Sequence, residues 1–327
     1  METSDPIKVL LNTQIPEKLW HYTSVSGFQG IVTTKRIFAT DIRFLNDREE
    51  FIHARKLADD LVQETPKTDS NGAPIQEYLQ KAVNMAFNTG PLHPDRLQIF
   101  VASFSKAEDQ LSQWRGYSQG SSGVCLGFDL KTFRPPVNID TTVSFAPCVY
   151  DPETKKKLIQ HALHHFRDAI SSRWNKIVEA ARQNISTKAF YGEKTSAAEF
   201  VASIQDTPDF VKLLQEATGK TYGDFLRIVA LLKNSAFHEE LEWRLVLPVW
   251  TKNQSLQNPR CFRVGATTLI PYIAHPFSFK DASPLPITDL ILGPGSDENF
   301  VPAARSFLES EGINLLPRQS KIPYRPW

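Results

Sequence analysis

Apolar and polar positions alternate along residues 240–247. Leu241, Trp243, Leu245 and Leu247 share one face of a strand read with period 2, and Glu240, Glu242 and Arg244 share the other. The pattern predicts an apolar face anchored in a core, with two carboxylates and a guanidinium projecting on the opposite side. Residues 18–23 read as a short strand, with Leu19, His21 and Thr23 on one face and Trp20 and Tyr22 on the other. Thr23 or Ser24 then caps a helix bearing Val25, Phe28, Ile31 and Val32. Residues 36–45 predict a second strand with Asp41 and Arg43 on one side. Asp47-Arg48-Glu49-Glu50 has the form of a capping box, ahead of a helix with Phe51, Ala54, Leu57, Ala58 and Leu61 at helical spacing.

Residues 65–95 predict a loop and a short helix, and residues 97–105 a strand. Residues 109–117 predict a turn or short helix, residues 118–123 a Gly/Ser loop, and residues 124–130 and 143–150 two more strands. The period then changes: Leu158, Ala162, Phe166, Ile170, Trp174 and Ile177 keep helical spacing, and so do positions around Phe200, Val211, Leu214, Phe225 and Leu232. Strands return at 242–250, 262–264, 269–274 and 287–292. Gly293-Pro294-Gly295 reads as a turn, Ser296 as the cap of a last helix, and the Pro-rich tail 315–327 as an edge strand or arm. The expected class is α+β: residues 1–150 and 236–327 form two halves of a β-rich core, and 151–235 an all-helical insertion.

The 327 residues, 41% of them hydrophobic, are enough for one large domain or a domain with an insertion. A net charge of +1 gives no bulk reason for nucleic-acid binding, and Lys155-Lys156-Lys157 reads as a solvated helix start. Cys125, Cys148 and Cys261 form no CxxC pair, which argues against a disulfide framework or a zinc site and suits a reducing cytoplasm. The N-terminus carries no secretory-signal pattern, and no apolar run approaches ~20 residues, so no membrane span is expected.

Several clusters carry candidate chemistry, each beside a plainer reading. His21-Tyr22-Thr23 forms a strand-end group suited to sugar hydroxyls, or a half-buried histidine beside a helix cap. Arg43, among Asp41, Asn46 and Asp47, has the geometry to bind phosphate, or pairs with Asp41. Trp114 and Tyr117 stand i, i+3 beside Arg115 and suit stacking on a planar ring; otherwise Trp114 is a core residue with its indole N–H satisfied. His161 and His165 are i, i+4 but lack an HExxH pattern, so His161, His164 and His165 read as solvated and no metal is expected. There is no P-loop and no GxGxxG after a strand.

Four blocks occur in order: His21-Tyr22-Thr23; Ala39-Thr40-Asp41 with Leu45-Asn46-Asp47; Ser112 to Tyr117; and Glu240 to Val246. Over roughly residues 18–295 they resemble a widespread bacterial family of uncharacterised proteins. That family is distantly similar to ADP-ribosyltransferases, including toxins and anti-phage enzymes that modify nucleic acid. The resemblance implies a split antiparallel β core holding NAD in a cleft, a histidine ending the first strand, and a glutamate on a late strand. His21, followed by Thr23, matches the first position; Glu242 matches the second, with Glu240 its competitor. Tyr22, Phe44, Trp114 and Tyr117 all remain open for the nicotinamide-stacking position. The implied roles put Glu242 on the ribose, where oxocarbenium character builds up, His21 on the adenosine ribose and Arg43 on the diphosphate. Asn46, Arg115 and the aromatics complete the cofactor-binding set.

The resemblance further implies no metal, a macromolecular acceptor with RNA and DNA among the candidates, an antitoxin or other protein partner, no membrane, and use in anti-phage defence or as a toxin. On this reading Glu242→Gln leaves the fold intact and removes NAD turnover. Two other classes stay open: a metal-independent nuclease or hydrolase using His21 with Glu240 or Glu242, and a non-catalytic nucleotide- or partner-binding module. The plainest alternative is that Glu240, Glu242 and Arg244 form a charge-paired solvent face. The enzyme reading requires His21 and Glu242, far apart in the chain, to meet in one pocket.

Overall fold

The alternation around Trp243 produces the strand at the centre of the sheet. In the computed structural model, β3 (Leu97–Ser105) pairs antiparallel with β6 (Glu242–Trp250) along its whole length, from Leu97↔Trp250 to Ser105↔Glu242. The structure describes residues 5–45, 50–89, 97–117, 122–131, 143–190, 208–250, 260–265, 267–276 and 285–324. The other edge of β6 takes β5 (Ser144–Pro147).

The free edge of β3 is shared by two strands at different heights. β2 (Arg36–Asp41) pairs at Phe100 and Val101, and β1 (Lys18–Thr23) only at Ser105. Between them the sheet is split. Beyond β1 come β4 (Val124–Asp129), β9 (Ile287–Leu292) and β10 (Arg318–Gln319); beyond β2 come β8 (Leu269–Pro276) and β7 (Arg260–Val264). The described pairs are antiparallel except β10 with β9, which is parallel. The sheet is therefore large, open and mixed, which corrects the expected all-antiparallel core at its last strand.

Period 2 sorts the side chains of β3 and β6 onto two faces. Phe100, Ala102, Phe104, Trp243, Leu245 and Leu247 join one cluster with Phe28, Ile31 and Val32 of α2 (Val25–Thr34). Each such burial contributes about 1.5–3 kcal/mol. Ile99, Val101 and Val246 point the other way. There they meet α3 (Glu50–Glu64), α4 (Ile75–Asn84), α6 (Pro152–Phe190) and α7 (Pro208–Ile228). The predicted helical stretch between β5 and β6 thus covers one face of the sheet.

The solvent-face reading of the late strand is overturned. Glu242 is 3% exposed, Arg244 2% and Glu240 8%. Leu241, by contrast, lies outside the strand: its φ is 45° and it is 48% exposed. A bulky residue in the left-handed region costs about 1–2 kcal/mol. The turn is held because Leu241 N–H donates to His238 O, and Lys106 N–H to Leu241 O.

Other expectations also shift. The strand from Arg36 ends at Asp41, whose carboxylate accepts the Arg43 N–H and starts a short 3₁₀ turn. Ser24, not Thr23, caps α2 by accepting the Gly27 N–H. Gly27 is required there, because a Cβ would lie 2.1 Å from Thr23 Oγ1. The last helix, α8 (Phe300–Ser310), has Asn299 at its N-cap with no side-chain bond, and Ser296 does not cap it. Lys155 is buried, with Nζ on Lys233 O, so the lysine run is not wholly solvated. His161 and His165 are half-buried. The Asp47–Glu50 capping box and Asn46 fall outside the residues whose side chains are described.

Candidate functional site

Where β1 and β2 part, Ser103 has no strand partner on the split edge. Its carbonyl instead accepts the Nδ1–H of His21 at 2.8 Å. A carbonyl can only accept, so the second ring nitrogen, Nε2, carries the lone pair. Burial pushes the imidazole down from 6.5 to about 4, against the Ser103 bond and with help from the Arg263 charge. At neutral pH His21 is therefore an uncharged acceptor.

A cavity of about 800 Å³ opens at this split. His21, Tyr22, Thr23, Tyr117, Glu240 and Glu242 all line it. The early histidine and the late glutamates thus share one pocket. Ser24, the cap of α2, and Gly27 within it also line the cavity, as do Thr40, Arg263 and Tyr272.

Behind the carboxylates lies a four-charge cluster. Arg244 grips Glu242 with two prongs, Nε to Oε1 at 2.8 Å and Nη2 to Oε2 at 3.1 Å. Its Nη1 donates to Ala230 O at 2.6 Å. Lys233 Nζ donates to Glu242 Oε2 at 2.5 Å and also to Glu240 Oε2. The Cys148 thiol approaches the same Glu242 oxygen at 3.6 Å. Burial alone would raise the Glu242 pKa; Arg244 and Lys233 more than offset it and hold the group down from 4.5 to about 2. Burial would lower Lys233 in turn, but the Glu242 charge holds it well above its ordinary value.

Glu240 is placed differently. Its Oε2 accepts from Lys233 and from the Tyr117 hydroxyl at 3.3 Å, and its Oε1 has no protein partner among the described residues. Burial raises its pKa despite Lys233. The left-handed turn at Leu241 brings the two glutamates onto one lysine, and their acidities are driven apart. Carboxylates separated in this way suit different roles, one holding charge and one moving protons.

The remaining candidates sort by position. Tyr22 lines the cavity, but its hydroxyl is committed to Ala107 O and the Gln110 N–H. Trp114 is 0% exposed and off the cavity, with its indole N–H on Asp109 at 2.9 Å, which is the core-tryptophan reading. Arg115 lies over Tyr324 of the C-terminal arm, which Asp109 fastens through Ser320 and Lys321. Arg43 forms a fork with Asp41, 3.0 and 2.6 Å, away from the cavity lining. Phe44 is not on the lining either.

Sequence reasoning missed Lys233, Ser103, Arg263 and Tyr272. Lys233 had a usable signal: it ends the run Ile228 to Leu232, every member of which is 0% exposed. Among the described residues no group of three His, Cys, Asp or Glu gathers with metal-holding geometry. No helix among them is long and apolar enough to cross a membrane.

Residues 113–245 match the model of an uncharacterised family, described as a protein of unknown function (DUF2971). The DUF2971 match runs from α5 (Leu111–Tyr117) into β6, so Tyr117, Lys233, Glu240, Glu242 and Arg244 fall within it and His21 does not. No curated protein and no solved structure matches the chain.

Proposed function

We propose that this protein is an ADP-ribosyltransferase-like enzyme that cleaves NAD and passes ADP-ribose to a macromolecular acceptor. One observation carries the reading: His21 and the two glutamates line a single cavity at a split in the sheet. The volume, about 800 Å³, suits a ligand of dinucleotide size. NAD supplies a nicotinamide–ribose C–N bond that breaks with oxocarbenium character, its electron pair leaving with nicotinamide.

The side chains divide the work. His21 Nε2 accepts a ribose hydroxyl. Glu242, locked as an anion, lends negative charge beside the developing cation without giving up its own partners. Glu240 Oε1 takes the proton from the acceptor's nucleophile as that atom bonds to the ribose carbon. This moves the proton-handling role from Glu242 to its neighbour.

Incubation with labelled NAD and, separately, protein, RNA and DNA tests the reading; label appears on one of them. The Glu240→Gln variant, checked for its fold because it leaves Lys233 and Arg244 facing one carboxylate, loses about 10²–10⁴-fold in turnover. Unchanged turnover would refute its role. A second reading, a non-catalytic binding module used in recognition, is favoured by the full engagement of both Glu242 oxygens. It expects ligand binding with no released nicotinamide.

A further inference from the structure

The cavity's two ends differ in charge. At the Glu240–Glu242 end, two carboxylates meet Lys233 and Arg244, and the sum is zero. At the other end, on the sheet-edge strand β7, stands Arg263. Its Nη2 donates to Thr40 Oγ1 at 2.8 Å, and its guanidinium lies 5.8 Å from the Tyr272 ring centroid. Tyr272 is braced in turn against Phe38 at 5.0 Å. No acidic side chain among the described residues acts on the Arg263 charge. Among the described residues that line the cavity, with His21 neutral, Arg263 is a positive charge with no acidic partner.

The geometry of that charge is specific. Among the described residues Arg263 makes one side-chain hydrogen bond, to Thr40, and lies near the Tyr272 ring, which turns it along the cavity wall. The planar fork keeps further N–H donors unspent, and Thr40, having accepted from Arg263, still has its own hydroxyl proton to donate. A fixed guanidinium fork with a neutral hydroxyl beside it matches the oxygens of a phosphate group. We infer that Arg263 marks a phosphate-binding subsite that takes a phosphate or diphosphate ester, with the organic part of the ligand running along the split toward His21. The inference rests on the same cavity as the NAD reading but does not require NAD.

The probe is inorganic diphosphate, titrated calorimetrically into the full chain and into Arg263→Ala and Arg263→Lys, with NAD turnover measured on each. The native chain binds diphosphate; Arg263→Ala weakens binding about ten- to hundred-fold, the size of a lost charge-assisted contact. Arg263→Lys recovers part of it, because the charge stays and the fork is lost. No binding by the native chain, or equal binding by Arg263→Ala, overturns the subsite. The two readings fail separately. Arg263-dependent diphosphate binding without NAD turnover supports the subsite and removes the NAD proposal. Full NAD turnover with diphosphate affinity unchanged in Arg263→Ala does the reverse.

Discussion

The two ends of one cavity handle charge in opposite ways. At the Glu242 end every charge finds an opposite charge inside the protein: Glu242 is 3% exposed, Arg244 2% and Lys233 1%. At the Arg263 end the cation sits on an exposed edge strand, beside a hydroxyl and a ring but facing no carboxylate among the described residues. A buried ion must be neutralised where it lies, because leaving it alone in low dielectric costs several kcal/mol. An accessible ion can wait for a ligand. Internal pairing therefore fixes where the Glu242 charge sits, and a guanidinium fork with donors to spare in a cavity suits recognition. Glu240 lies between these cases, with one oxygen paired and the other without a partner among the described residues.

The largest test of this contrast is Glu242→Gln. Sequence reasoning expected the fold to survive it untouched; the cluster changes that expectation. Two cations would face one remaining carboxylate, a loss of about 3–5 kcal/mol. Denaturant titration measures it, and a loss below about 1 kcal/mol would break the distinction between the two ends.

Acid gives the next effect. His21 is held down from 6.5 to about 4 and Glu242 from 4.5 to about 2. Both shifts are downward, so each stabilises the fold above its ordinary pKa and is lost as pH falls toward the depressed one. Stability should decline first between pH 6.5 and 4, then between 4.5 and 2, by up to about 3 kcal/mol for each group. The raised Glu240 works in the opposite sense at pH values above 4.5, and so trims the first window. His21→Asn should flatten the upper window alone; a decline that persists there would assign it to another group.

The smallest effect is Arg263→Ala. A tethered side chain on an edge strand should change stability by no more than about 0.5 kcal/mol. A loss above about 1.5 kcal/mol in the same titration would make Arg263 scaffolding too, and the two ends would no longer differ.

The strands were legible because period 2 is written locally: Leu19 to Thr23, Leu97 to Ser105 and Trp243 to Leu247 all fall where alternation predicts. The helical segment was legible for the same reason, from its change of period. The destination of each polar face was not. Glu242 and Arg244 alternate correctly with Trp243, but nothing near them announces that Lys233, Ala230 and Cys148 will enclose them. Arg43 and Trp114 had suitable chemistry and went elsewhere, one to Asp41 and the other to Asp109. Those partners lie two and five positions away in the chain, near enough for local pairing to take both side chains.

By itself the sequence determined the elements, the apolar faces and the residue types available for chemistry, since propensity and periodicity depend on near neighbours. Only the tertiary structure decided that β1 and β2 leave β3 at different heights, that Ser103's spare carbonyl orients His21, and that Lys233 binds two glutamates of unequal acidity. Each of these is a contact between distant segments whose energy depends on burial and charge, quantities that exist only once the chain has folded.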